Sequence, residues 1–215
     1  MKSLATISAV MLLISGANAS DWGGAYVGIQ TGYGSGSSSY IVDVYPNLFF
    51  PYDPDGFLGG FYAGYNRELR PGWIMGVEGD FSAGGIESGR TALFDPEPRT
   101  RDIGHSDVKW QAAFRARLGY DMGRILPFAT AGLAMAGYQH SVEDPYLFDS
   151  FTRIAVGWTI GAGLDFALTQ HLIARAEYRY ADFGTDHYAW NPGLALAHTV
   201  DLSLHDVRLG LAYKF

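Results

Sequence analysis

The chain has 215 residues, a formal net charge of −7, no cysteine, 28 glycines, and 14 Tyr, 13 Phe and 5 Trp. Without cysteine there is no disulfide framework, thiolate metal site or cysteine nucleophile, and the modest acidity without a basic stripe excludes a nucleic-acid surface. The length suits one domain, and abundant glycine with aromatic residues is a β-rich balance.

The first residues read as an address. Lys2 precedes an apolar stretch at 4–14 and the small-x-small site Ala17-Asn18-Ala19. This is the pattern of a secretory signal peptide at 1–19, too short to span a bilayer as a helix. No later segment offers the roughly 18 uninterrupted apolar residues that a membrane helix needs. The rest, 20–215, is expected to form one β-barrel domain.

Eight strands follow in chain order. The first covers 25–33, with Ala25, Val27, Ile29, Thr31 and Tyr33 on one face and Tyr26, Gly28, Gln30 and Gly32 on the other. The second covers 57–65 and the third 73–81, where Glu78 and Asp80 share a face. In the fourth, 108–120, Val108, Trp110, Ala112, Phe114, Ala116, Leu118 and Tyr120 alternate with Lys109, Gln111, Ala113, Arg115, Arg117 and Gly119. The fifth, 127–138, is so rich in Ala and Gly that its facing is ambiguous and a short helix competes with it. The sixth, 154–166, sets Asp165 opposite an apolar face. The seventh, 172–180, carries Arg175, Glu177 and Arg179 on one side. The eighth, 207–215, turns Val207, Leu209, Leu211, Tyr213 and Phe215 one way and Arg208 and Lys214 the other.

Connections alternate between short (67–72, 121–126, 167–171) and long (34–56, 82–107, 139–153, 181–200), as in barrels with turns on one membrane face and loops on the other. Aromatic residues near strand ends fit interfacial girdles. A soluble barrel would turn these apolar faces inward. The signal peptide, the terminal aromatic and the loop asymmetry favour the inverse: an all-β, eight-stranded, antiparallel up-and-down transmembrane barrel with short periplasmic turns and long extracellular loops.

The charged faces then point into the lumen. Slipping the fourth strand by one residue would turn Arg115 and Arg117 toward lipid at about 2–4 kcal/mol each near the midplane, which pins the register. Inside, they need partners. Neighbouring strands predict Glu78 and Asp80 against Arg115 and Arg117, Asp165 near Arg175, and Arg208 with Glu177, in a network that includes Arg179. Gly60, Gly64, Gly76, Gly119, Gly157 and Gly161 are expected to make room for the long side chains. Eight strands enclose a lumen that side chains fill, so a wide pore is not expected.

Several runs carry a family resemblance. Gly157-Trp158-Thr159-Ile160-Gly161-Ala162-Gly163-Leu164-Asp165 is followed by Arg175-Ala176-Glu177-Tyr178-Arg179-Tyr180-Ala181-Asp182-Phe183-Gly184. With Gly59-Gly60-Phe61-Tyr62-Ala63-Gly64-Tyr65-Asn66, Gly76-Val77-Glu78-Gly79-Asp80-Phe81 and Arg115-Ala116-Arg117-Leu118-Gly119-Tyr120, these resemble the small outer-membrane β-barrel surface proteins of alphaproteobacteria, of the opacity and surface-antigen type. The resemblance spans the mature chain. It implies a barrel like the membrane domain of outer membrane protein A, placed in the Gram-negative outer membrane by the barrel-assembly machinery, which reads a terminal aromatic such as Phe215. It also implies contact with outer-membrane lipid and lipopolysaccharide, and with a host or surface ligand at the loops. The first two loops depart from the family in being long and proline-rich (Pro46, Pro51, Pro54; Pro96, Pro98).

Three functional classes remain open. The first is a structural and surface-interaction protein, the second a narrow low-conductance porin-like channel, and the third a lipid- or peptide-modifying enzyme. His105, Ser106 and Asp107, or His198, Ser203, His205 and Asp206, offer the residue types of a hydrolytic triad, but neighbours on a strand point to opposite faces, so rim residues are the expectation. Asp182, Asp186 and His187, and Asp53 with Asp55, lack a spacing tied to a metal geometry. No cofactor or catalytic residue is expected.

Overall fold

Apolar and polar side chains that alternate with period two need two different surroundings, and a sheet closed on itself provides them. The computed structural model describes residues 21–42, 49–52, 55–92, 101–144, 147–191 and 196–215, with side chains placed at 21–36, 55–85, 108–137, 154–184 and 203–215. The segment read as a signal peptide lies outside the described residues.

The elements are β1 Gly24–Val42, β2 Phe49–Tyr52, β3 Asp55–Arg70, β4 Trp73–Ala92, β5 Arg101–Tyr120, β6 Ile125–Asp144, β7 Leu147–Ala167, β8 Leu172–Asn191 and β9 Leu196–Lys214. β1 and β3 through β9 pair antiparallel in order, and β1 returns to β9 from Tyr26↔Lys214 to Val42↔His198, closing a ring of eight. Closure leaves this ring without an edge strand. β2 lies in line with β3 on the same edge of β1, paired with it from Ser38↔Tyr52 to Ile41↔Phe49, and extends the wall above β3.

Ring strands run from 16 residues in β3 to 21 in β7, longer than the sequence pattern suggests. At about 3.3 Å per residue and a tilt near 45°, twenty residues climb roughly 45 Å, well beyond an apolar band about 25 Å tall. The surplus continues the hairpins outside the membrane, where pairing satisfies the backbone of what reads as loop. The turns at the other end are tight. Pro71-Gly72 joins β3 to β4 with Gly72 at φ +82°, and residues 121–124 join β5 to β6 with Gly123 at φ +84°. In the latter, Asp121 Oδ1 accepts from Gly123 N at 2.7 Å.

Facing follows the pleat. Ile29, Phe57, Phe61, Phe114, Leu133, Val156, Trp158 and Leu209 are exposed on the outside, whereas Glu78, Asp80, Arg115, Arg117, Asp165, Arg175, Glu177, Arg179 and Arg208 are buried inside. β6 is a strand with Leu126, Phe128, Thr130 and Ala134 inward, which settles the ambiguity of its sequence. One expectation is corrected. Val108 faces inward and Lys109 is exposed, the reverse of the pattern from Gln111 onward, because bulges shift the β5 register between Val108 and Trp110 against both neighbours. A bulge inserts one unpaired residue and swaps the faces beyond it.

Inside the ring, two apolar layers bracket the charged residues. At the turn end Trp22, Tyr26, Tyr62, Ile74, Leu126, Ala167, Ile173 and Ala212 form one cluster. Trp22 plugs it, donating its indole N–H to Asp121 Oδ1 at 3.1 Å and Gly123 O at 3.1 Å. Toward the loop end Leu58, Val108 and Ala136 pack with Phe183.

Candidate functional site

The site is the column of ions between these layers. Each member sits on the inward face of a strand, so its height follows from its register and its partners from the curvature of the wall. Across a barrel this narrow, long side chains reach past the adjacent strand.

The lower tier centres on Glu78 of β4. Its carboxylate accepts from Arg115 Nη2 at 2.6 Å, Arg175 Nη1 at 2.5 Å and the Tyr26 hydroxyl at 2.6 Å. Asp165 of β7 accepts from Arg175 Nε at 2.8 Å and Arg117 Nη2 at 2.5 Å. Both guanidiniums also lie over aromatic rings, Arg117 at 3.9 Å from the Phe128 centroid and Arg175 at 4.4 Å from that of Tyr62. Cation–π contact of this kind strengthens where water is excluded.

Arg115 links the tiers. Besides Glu78 it meets Glu177 of β8 and lies 3.4 Å from Asp80 Oδ2. In the upper tier, Asp80 Oδ1 accepts from Arg179 Nη1 and Arg208 Nη1, each at 3.0 Å. Asp206 Oδ2 accepts from Arg179 Nη2 at 2.9 Å and Arg208 Nη2 at 2.8 Å. Gln111 Oε1 takes a further bond from Arg179 Nη2 at 2.6 Å, and Gln30 Nε2 donates to Ser82 Oγ at 3.0 Å.

The nine charged residues anticipated from sequence all lie in this column, and Glu78 and Asp80 do meet Arg115, as Asp165 meets Arg175. One pairing is corrected. Glu177 and Arg208 stand opposite each other in the β8–β9 register, yet Arg208 turns to Asp80 and Asp206 while Glu177 binds Arg115. The sequence reading also left out Asp206 from the interior. It is buried rather than a rim residue, because β9 starts at Leu196 and position 206 shares the inward face of Arg208. A charge count signals it: five arginines face four carboxylates without Asp206 and five with it. A neutral column is what a low-dielectric interior demands.

Small residues admit these groups. A side chain at Gly64 would meet the Tyr26 hydroxyl, and one at Gly161 would meet Thr130 Oγ1 and Glu177 Oε1, all within 3 Å of a Cβ.

Among the described residues the triad and metal candidates do not come together. His205 is exposed on the outer wall with Nδ1 2.6 Å from the Tyr178 hydroxyl, whereas Asp206 points into the column. Asp182 accepts from Tyr180 Oη at 3.0 Å and Gly184 N at 2.8 Å, and Asp55 from the Tyr33 hydroxyl. Among the described residues no three His, Asp or Glu side chains group as metal ligands. The side chains of Asp53, His105, Ser106, Asp107, Asp186, His187 and His198 lie outside the described residues.

A closed ring with ions inside and exposed Phe, Leu, Ile and Val outside inverts the arrangement of a water-soluble protein, and defines an integral β-barrel of the Gram-negative outer membrane. The chain belongs to the outer membrane protein beta-barrel domain family, whose model matches residues 4–215. It is 31% identical over 198 residues to the 25 kDa outer-membrane immunogenic protein of Brucella abortus, covering 90% of this chain and 79% of that relative. Against the 22 kDa outer membrane protein of Rhizobium leguminosarum, identity is 29% over 204 residues, with 92% and 80% covered. The crystal structure of the outer membrane protein OprG from Pseudomonas aeruginosa shares the fold at a TM-score of 0.52 and 14% identity, with 90% of this chain and 96% of that one aligned.

Proposed function

We propose that the protein is a structural and surface-presenting barrel whose interior is closed by its ion-pair column and whose outer hairpins carry whatever recognition it performs. The observation carrying this reading is the column itself: five guanidiniums and five carboxylates, paired across the lumen and bracketed above and below by apolar clusters. A continuous water path past such a column would have to break several charge-assisted bonds. Planar-bilayer recording of the folded protein is expected to give no stable large unit openings, and steady openings would overturn the closed interior.

Strands that climb past the apolar band support the surface role, since the strand ends that flank the connections 43–48, 93–100, 145–146 and 192–195 stand beyond the hydrocarbon. The immunogenic designation of the Brucella abortus relative is in keeping with such exposure. Lipopolysaccharide is the lipid these outer segments would meet. Phe215, exposed beside Tyr213, is the terminal aromatic offered to the assembly machinery. Protease treatment of intact cells tests the topology. Cleavage is expected within those outer connections and not at the turns at 71–72, 121–124 or 168–171; cutting at a short turn in sealed cells reverses it. No catalytic step is part of this reading, because His205 and Asp206 lie on opposite sides of the wall.

A further inference from the structure

Nearly every cation in the described residues is held by an oxygen of the protein or has another partner; the β3–β4 hairpin is different. Arg67 and Arg70 are both exposed there, and no carboxylate among the described residues lies within ion-pair distance of either. Arg70 lies 5.1 Å from the centroid of the Trp73 ring, and the nearby Glu68 spends Oε1 on Gly72 N at 3.2 Å. Trp73 packs edge-on to Tyr120, so the pair of guanidiniums borders the aromatic girdle on the periplasmic side.

Above Arg67 the lipid-facing wall is shaped. Arg67 stands opposite Met75, Tyr65 opposite Val77, Ala63 opposite Gly79, and Phe61 opposite Phe81. A side chain added at Gly79 would meet only Ala113 O, at 3.8 Å, and Ala63 beside it is small, so the wall dips there among the exposed Val77, Phe61, Phe81 and Phe114. The hollow ends above at the Phe61 and Phe81 rings, stacked 5.7 Å apart.

We propose that this strip is a binding site for one anionic phospholipid of the inner leaflet, its phosphate held by Arg67 and Arg70 and one acyl chain lying in the groove past Val77, Ala63 and Gly79 to the stacked phenyl rings. Charge complementarity selects the occupant: two guanidiniums without an ion-pair partner among the described residues, one of them over the Trp73 ring, outweigh the single Glu68 carboxylate at the depth of the headgroups and favour a phosphodiester with net negative charge over a zwitterion. The chain groove fixes the lipid's position, and the lipid in turn neutralises a hairpin that otherwise carries uncompensated positive charge into the interface.

The test is native mass spectrometry of the full chain released from bilayer discs of phosphatidylethanolamine and phosphatidylglycerol. Wild type is expected to keep one phosphatidylglycerol in preference to phosphatidylethanolamine. Arg67→Gln and Arg70→Gln should each lower that retention about fivefold. Gly79→Phe, which fills the groove and leaves both charges in place, should also weaken it. Thermal unfolding in detergent checks that each variant is folded. Equal retention of the two lipids by wild type, or undiminished phosphatidylglycerol on a folded Arg67→Gln/Arg70→Gln variant, overturns the site. Loss on the double arginine variant with full retention by Gly79→Phe overturns the groove.

Discussion

Replacing Glu78 with alanine is expected to lower the unfolding free energy of the detergent-folded barrel by about 3–5 kcal/mol, the range for removing one member of a buried ion pair. The size follows from how many groups converge there. Arg115 and Arg175 lie 2.6 and 2.5 Å from the carboxylate, Arg117 lies 3.8 Å away, and the Tyr26 hydroxyl donates to it at 2.6 Å. Without Glu78, five buried arginines share four buried carboxylates. Glu78→Gln retains the shape and an acceptor, so it should lose less. The double variant Glu78→Ala/Arg175→Ala restores neutrality and is expected to be more stable than the sum of the single changes, a coupling that a double-mutant cycle in urea reads directly. An unchanged midpoint for Glu78→Ala would mean that the carboxylate has no buried partner.

Exchanging Glu78 and Arg115 by Glu78→Arg/Arg115→Glu tests a finer point. Were the column a set of independent pairs, the swap would be nearly neutral. Glu78 also serves Arg175, and Arg115 also serves Glu177, so each moved charge meets a like charge. The swapped variant is expected to remain well below wild type in the same urea titration.

What the sequence discloses here depends on distance along the wall. Strand identity and facing are legible wherever the outside is lipid, because the apolar face must then be nearly uninterrupted, as from Gln111 to Tyr120 or Val207 to Phe215. The pattern fails where strands leave the bilayer. There the outside meets water and the inside can be apolar, so Val108 and Leu204 turn in while Lys109 and His205 turn out. That second inversion, with the β5 bulge, is why Val108 is misassigned and why the alternation places the start of the last strand at Val207 when β9 begins at Leu196. Asp206 falls in the unread stretch.

Pairings divide in the same way. Contacts between neighbours, such as Glu78 with Arg115 or Asp165 with Arg175, follow from strand order and register alone. Contacts across the lumen do not. Glu78 with Arg175 joins β4 to β8, Asp80 with Arg208 joins β4 to β9, and Arg117 with Asp165 joins β5 to β7. These depend on the radius of the closed ring and on which rotamer each arginine adopts, and neither is written in a local pattern. The balance of the column is a global constraint that the sequence does express: five inward arginines call for a fifth carboxylate, while Lys214, buried at the turn end, donates to the backbone oxygen of Asp21 instead.

The lipid-facing wall gives the other large effect. Phe114 is 63% exposed near mid-height on β5, and the adjacent Arg115 is 1% exposed inside. Phe114→Arg is therefore expected to destabilise the barrel by about 2–4 kcal/mol from the charge at the midplane, beyond whatever Phe114→Ala loses by removing the ring. Urea titration in lipid vesicles, followed by tryptophan fluorescence, measures both variants against wild type. The two adjacent positions make the comparison internal: a guanidinium at position 115 is stabilised by Glu78 and Glu177, whereas one at position 114 is supported by nothing but acyl chains. The strand cannot relieve the strain by slipping one residue, since that would carry Arg115 and Arg117 outward and turn position 114 inward onto the column. A Phe114→Arg variant as stable as Phe114→Ala would show that this face does not contact hydrocarbon, and that lipid does not pin the register of β5.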